Sequence, residues 1–285
     1  MSASVIKGAT ATAASRTTQR DEARRRTILV ISLQLTILFL ILAAWQWIPQ
    51  IPGVARISPV FDPFFISSPS QVAQTLYHLV TGTGGVQSIW GAFFHSVIPA
   101  LVGTAIAVVA GALAGLICSN WATVNRVLRP FIAVGNALPR VTLIPIIVVI
   151  AGPTSTADII VGFLVVFFLV FWNAYEGGVS VPQESLENVR ILGASPMHEL
   201  RRVRLPYVLV WTFASLPAAI GFGITAIVTA ELFTGSTGLG QVLVVAVQTA
   251  NADLTVAVTI LLGVTGLTLI GIASLVRRRV LHWWG

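Results

Sequence analysis

Charge is scarce in this sequence: only 9% of its 285 residues are Asp, Glu, Lys or Arg, while 55% are hydrophobic. Soluble domains carry roughly 25% charged residues, so most of this chain belongs in lipid. Lysine occurs once, as Lys7 before Gly8 and Ala9. That excludes a Walker A loop, which needs Gly-x-x-x-x-Gly-Lys-Ser/Thr to place a lysine on the phosphates. Cysteine also occurs once, as Cys118, so there is neither an internal disulfide nor a cysteine-based metal site. His78, His95, His198 and His282 are scattered without metal-ligand spacing. No strand-like alternation of the barrel type and no internal repeat is present, which leaves a barrel or a two-half inverted-repeat transporter without support. The formal charge is +7, yet no basic face with interleaved aromatics occurs, so nucleic acid is not a partner.

Six apolar runs fill the chain, at about 27–48, 91–119, 127–151, 157–178, 207–233 and 254–276. Each reaches the ~20 residues that a helix needs to cross a bilayer. The expected class is an all-α membrane protein with six transmembrane helices. Residues 1–26 form a polar tail ending in Arg24-Arg25-Arg26, and 27–48 form the first transmembrane helix. That run is too long for a signal-peptide core of about 7–15 residues, so it is read as retained. Residues 49–90 form a loop in which Ser68-Pro69-Ser70 before QVAQTLYHLV predicts a capped short helix. Residues 91–276 hold the other five crossings and 277–285 a basic tail. All of the 17 Lys and Arg except Arg56 and Arg140 fall on one side of this layout, together with both termini. Basic loops stay inside, so both ends are expected in the cytoplasm. Trp45, Trp47, Trp90, Trp121, Trp172, Trp211, Trp283 and Trp284 lie near run ends, where indoles favour the interface.

The connection 179–206 is then a cytoplasmic loop, and its part 187–206 reads ENVRILGASPMHELRRVRLP. Pro182 can open a short helix. Gly193 suits the left-handed residue just past a helix end. Ser195-Pro196 reads as an N-cap with proline at the first helical position, and a second helix should run on until Pro206. A helix, glycine turn and helix make an elbow compact enough to sit in a groove of another protein. A plain solvated loop would explain Arg201, Arg202 and Arg204 as topology signals, but not the turn and the cap.

Glu187-Asn188-Val189, Gly193 and Val203-Arg204-Leu205-Pro206 resemble, at the same spacing, the Glu-Ala-Ala…Gly…Ile-x-Leu-Pro loop of binding-protein-dependent ABC importer permeases. Asn188 and Val189 stand where that loop has two alanines. FFISSPSQVAQTL, LPRVTLIPIIVVIAG and TAELFTGSTGLGQVL are similar to the nitrate/sulfonate/taurine branch, so the resemblance covers about 60–285. It implies a type I importer permease fold in the bacterial plasma (inner) membrane and a pathway formed with a second permease chain, a homodimer in the simplest case. It also implies a pair of ABC ATPase subunits that carry ATP and Mg, and a periplasmic or lipid-anchored substrate-binding protein. Glu187, Asn188, Val189, Gly193, Ala194, Leu205 and Pro206 would form the coupling loop to the ATPase. This chain itself would be no enzyme, with no cofactor, no metal and no catalytic residue.

Arg140 lies near the middle of the third run. A charge there costs ~2.5–3.5 kcal/mol or more and is usually paired or lines a pathway. Either backbone carbonyls freed by Pro139 and Pro145, or an acid such as Glu231, satisfies it, or it presents positive charge to an anion in transit. Glu231, Gly238 and Gly240 lie in a glycine-rich stretch that the resemblance puts at the outer end of the pathway, facing the binding protein. The expected solute is small and anionic, like a sulfonate, nitrate or taurine. The alternative is a secondary, ion-coupled transporter or channel. Such a carrier usually buries several ionisable groups; here Arg140, Asp158, Glu176 and Glu231 are the few candidates. An intramembrane enzyme has no support: GxSxG is absent, and the neighbours His95 and Ser96 do not face each other on a helix.

Overall fold

A computed structural model describes residues 3–51, 66–83, 88–137 and 139–280, leaving aside the side chains of 3–23, 122, 129, 136, 137, 140 and 141. Two parts of the predicted loop, at 52–65 and 84–87, and the last five residues with Trp283 and Trp284 lie outside the described residues. Every regular element among the described residues is helical.

Two compact units divide the chain, residues 1–71 and 72–285. In the first, α1 (Ala3–Trp47) is one helix that joins the expected polar tail to the first apolar run. Its residues 24–42 are exposed on every side. An all-round apolar helix is stable that way only in lipid, where its backbone groups are satisfied internally. At its end, Gln46 holds the start of α2 (Pro69–Thr81). The Ser70 N–H donates to Gln46 Oε1 at 3.2 Å, and Gln46 Nε2 donates to Ser70 Oγ at 3.1 Å. The expected cap of α2 is present, with the Gln71 N–H donating to Ser68 Oγ at 3.5 Å and proline at the first position.

The second unit continues with α3 (Trp90–Asn120), α4 (Ala122–Ala137), α5 (Ile144–Ala151) and α6 (Ser155–Val179). Then come α7 (Gln183–Ile191), α8 (Pro196–Glu199), α9 (Leu205–Thr234), α10 (Leu239–Gln248) and α11 (Ala252–Val280). Its core is α3, α6 and α9, packed on one another. Apolar side chains gain little by leaving lipid for protein, so such helices associate through close backbone approach at small residues. Gly103, Gly111 and Gly115 of α3 lie against the α6 backbone. A Cβ at Gly103 would stand 2.7 Å from the Ile159 carbonyl oxygen, and one at Gly115 would stand 2.8 Å from that of Phe171. Beside this seam, Ala107, Val166, Val170 and Ala219 form one fully buried cluster.

Among the described residues, five helices are long and apolar enough to cross a membrane, spanning Arg24–Gln50, Trp90–Asn120, Ser155–Val179, Pro196–Thr234 and Ala252–Val280. The fourth of these starts in the polar loop, and its apolar run begins only at about 207. The predicted third crossing, 127–151, is not one continuous helix. α4 stops at Ala137, a 3-10 turn spans Arg140–Leu143, and α5 starts at Ile144. Pro139 and Pro145 explain the break, because neither can donate to a helix ladder, and Pro145 is tolerated in the first turn of α5, where no donor is needed. Thr142 closes the turn by donating its N–H and Oγ1 to the Pro139 carbonyl at 2.9 and 2.7 Å.

Candidate functional site

The connection between α6 and α9 folds as an elbow. α7 begins after Pro182, which sits at its N-cap with φ −58°, one residue earlier than a first-turn proline. Leu186 is 3% exposed and anchors the helix. The turn is a Schellman motif: Gly193 has φ +78°, its N–H donates to the Arg190 carbonyl at 2.9 Å, and the Ala194 N–H donates to that of Val189 at 3.1 Å. A left-handed residue costs an L side chain about 1–2 kcal/mol, and that alone argues for glycine, since a Cβ at Gly193 would meet nothing within 4 Å. Ser195 then caps α8, its Oγ accepting from the His198 N–H at 3.3 Å.

Pro206 does not end the second helix, contrary to expectation. α8 passes through a π-helical turn, Leu200–Arg204, straight into α9. A proline cannot donate to the carbonyl four residues back and its ring crowds that carbonyl. The π-turn widens the ladder one step ahead of it, with the Leu205 N–H reaching the Leu200 carbonyl five residues back.

Glu199 locks the elbow. It is 7% exposed and is held by two arginines. Arg190 donates Nε to Oε2 at 2.8 Å and Nη2 to Oε1 at 3.1 Å, and Arg204 donates Nε to Oε1 at 3.1 Å. The hydrogen bond from Arg190 holds the Glu199 carboxyl below the usual carboxylate range, against its burial and with help from Arg204. A depressed carboxyl contributes stability above its unfolded pKa and loses it as pH falls through its folded one. The clasp is therefore complete at neutral pH and opens only in acid below the ordinary glutamate range.

The elbow presents Glu187 and Asn188 as exposed, Val189 and Ala194 as half-buried, and Leu205 and Pro206 half-buried at the start of α9. It also presents residues that spacing alone did not single out. Ile191 is 81% exposed and Leu192 85%, with Met197 exposed across the turn. Their signal was in plain view, as two aliphatic residues just before a turn glycine in a polar loop.

A second arrangement lies at the other end of α9. Glu231 is fully buried, and Ser96 of α3 donates its Oγ to Oε1 at 2.7 Å, with Oε2 2.9 Å away. The Gly240 N–H donates to Oε2 at 2.7 Å, and the Leu239 N–H donates to Ser96 Oγ at 2.8 Å. This clasp pins the α9–α10 turn onto α3. It leaves no room at its glycines: a Cβ at Gly238 would collide with the Glu231 carboxylate, and one at Gly240 would lie 2.6 Å from the Val228 carbonyl oxygen. Beside the clasp opens a cavity of about 520 Å³ lined by His95, Thr237, Gly238 and Gln241 among others. Arg140 lies in the backbone turn between α4 and α5, and its side chain is outside the described residues. Among the described residues no group of three His, Cys, Asp or Glu could hold a metal ion.

Residues 107–282, which include the end of α3, all of α6 and α9, the elbow and the clasp turn, match the family described as "Binding-protein-dependent transport system inner membrane component". The chain belongs to this family. The permease is 25% identical over 257 residues to the taurine transport system permease protein TauC of Escherichia coli (strain K12), covering 90% of each chain. It is 26% identical to the nitrate import permease protein NrtB of Leptolyngbya laminosa, over 74% of this chain and 78% of that one. It is 28% identical to the riboflavin transport system permease protein RibX of Chloroflexus aurantiacus, over 56% and 59%. In fold it is similar to an inward-facing structure of the MetNI methionine ABC transporter, with TM-score 0.55 and 20% identity, covering 67% of this permease and 94% of that chain. The permease is a multi-pass membrane protein and an ABC importer permease, as the resemblance of residues 187–206 implied.

Proposed function

We propose that this permease lines the path of a small anionic solute and couples its passage to a separate ATPase through residues 187–206. The elbow supports that reading most directly. It combines a rigid frame (the Schellman turn and the Glu199 clasp) with exposed Ile191, Leu192 and Met197. Large exposed apolar side chains on a polar loop mark a protein contact, and a groove on an ATPase subunit is the occupant that the family supplies. The arginine-rich elbow, the tail and both termini then lie in the cytoplasm of a bacterium, with the plasma membrane crossed six times when the broken segment 127–151 is counted. A second copy of the chain completes the pathway, two ATPase subunits bring ATP and Mg, and a binding protein outside delivers the solute.

Leu192→Asp tests the docking directly. A charge on the apolar tip should lower ATPase retention on the purified permease by about tenfold or more, the effect expected when a central interface side chain is truncated, while membrane abundance stays normal. Unchanged retention would contradict docking through this tip.

The solute reading rests on the taurine and nitrate transporters to which the chain is similar, and on Arg140 at the break of the third segment. Helix breaks inside transporters are tolerated where they line a cavity, and an arginine there favours anions. On this reading the glycine turn with Gly238 and Gly240 faces the binding protein, and Glu231 serves the pathway's outer end by holding that turn. Arg140→Gln should cut uptake about tenfold or more at normal membrane abundance, the effect of removing one charge-assisted hydrogen bond. Normal uptake at normal abundance would remove Arg140 from the pathway.

A further inference from the structure

We propose that Arg204 is a positioning residue, a strut that carries movement of the elbow into α3. This inference rests on the docking of the elbow proposed above.

The elbow is joined by the chain itself to α6 on one side and α9 on the other. Nothing in the chain's order joins it to α3, which ended at Asn120, long before the elbow begins. Arg204 supplies that third connection. Its Nε donates to Glu199 at 3.1 Å and its Nη1 donates to the Ser119 carbonyl of α3 at 3.2 Å. Ser119 lies in the last turn of α3, where the final carbonyls lack intrahelical partners and carry the negative end of the helix dipole. A guanidinium there is both a cap and a counter-charge. Only arginine can do this while holding a carboxylate, because its planar fork presents several donors in fixed directions.

The π-turn makes the geometry possible. Glu199 and Arg204 are five residues apart. In an unbroken α-helix five residues turn about 140° from one face to another, and the two side chains would diverge. The turn Leu200–Arg204 closes with a bond five residues back instead, which returns Arg204 to the face of Glu199. Pro206 disfavours the ordinary ladder just beyond it and so helps to hold the π-turn. Arg190 of α7 grips the other side of the same carboxylate with two hydrogen bonds. The result is one line of side chains, Arg190 to Glu199 to Arg204 to the end of α3, in which Glu199 and Arg204 are both largely shielded, with side chains 10% and 13% exposed. Charge-assisted bonds are roughly twice as strong as neutral ones, and shielding spares the Glu199–Arg204 pair much of the screening by salt. A push on α7 therefore reaches α3 through side chains, as it reaches α6 and α9 through the backbone, and the core helices move together.

The test uses the complete importer, with ATPase subunits and binding protein, in proteoliposomes. Two quantities are read: ATPase subunits retained per permease, and solute imported per ATP hydrolysed. Arg204→Met keeps the length of the side chain and removes its donors. Import per ATP hydrolysed by the subunits it retains should fall about tenfold or more, a size within the range of ordinary coupling between two sites. A purely structural role would lower abundance and both activities together and leave their ratio intact, and an intact ratio overturns the strut. Should Arg204→Met fail to accumulate, Arg204→Lys gives the same reading: it keeps the charge but cannot hold two oxygens in a fixed fork, and its ratio should fall by about threefold or more. If the unchanged permease retains no ATPase at all, the docking reading fails and the strut falls with it, a result distinct from an intact ratio.

Discussion

Gly193→Pro should leave the permease inserted at normal abundance, yet abolish measurable coupling between ATP hydrolysis and import. Proline fixes φ near −65°, whereas residue 193 stands at +78°. The substitution also deletes the N–H that donates to the Arg190 carbonyl. Together these cost the turn about 3 kcal/mol or more, enough to reverse the elbow's geometry locally. Nothing packs where a side chain at 193 would go, so the helical core is not touched and insertion is spared. If docking absorbs the whole cost, ATPase affinity drops by roughly a hundredfold. Gly193→Ala is the control. Alanine tolerates the left-handed region at about 1–2 kcal/mol and keeps the N–H, so a loss of about tenfold is expected. Equal effects of alanine and proline would mean that the turn is not what matters.

Gly240→Ala should destabilise the permease through a single added methyl group. The added Cβ would lie 2.6 Å from the Val228 carbonyl oxygen and from Glu231 Cβ, and the first of these is backbone that cannot swing away. Overpacking of this kind costs about 1–3 kcal/mol. Displacing the Gly240 N–H from Glu231 adds the penalty of a buried, poorly satisfied carboxylate, about 1–3 kcal/mol or more. Glu231→Ala removes the acid itself and leaves Ser96 and the Gly240 N–H facing an empty space. Both variants should loosen the α9–α10 turn. The readout is detergent-solubilised thermal stability, with an expected fall of several degrees for the 1–3 kcal/mol involved, together with faster proteolysis at the turn. Wild-type melting for Gly240→Ala would contradict the clasp.

Much of the elbow was legible in the sequence because its signals are local. A glycine after a helix, a serine before a proline and a proline at a helix start each act within four residues. That is why Gly193 takes positive φ and Ser195 caps α8 as spacing predicts. What was not legible depends on partners far along the chain or on competition between neighbours. Ser96 is 135 positions from Glu231, so no local pattern announces their bond, and the acid reads only as a buried charge in need of a partner. Pro206 reads as a stop, yet a π-turn absorbs it, since the apolar face of α9 favours continuing the helix. The run 127–151 satisfies a hydropathy count, yet its helix is interrupted between Pro139 and Pro145, while Pro130 is accommodated within α4. Composition decides whether a segment prefers lipid, but backbone donors decide whether it can be a single rod.

The most direct measurement is purification of the tagged permease in a gentle detergent, with identification of the subunits that come with it and assay of their ATP hydrolysis. The docking elbow predicts a co-purifying P-loop ATPase whose turnover rises when a periplasmic binding protein and its solute are added. A permease that purifies alone, shows no ATP hydrolysis and still transports solute in vesicles would contradict it and leave an ion-coupled carrier in its place.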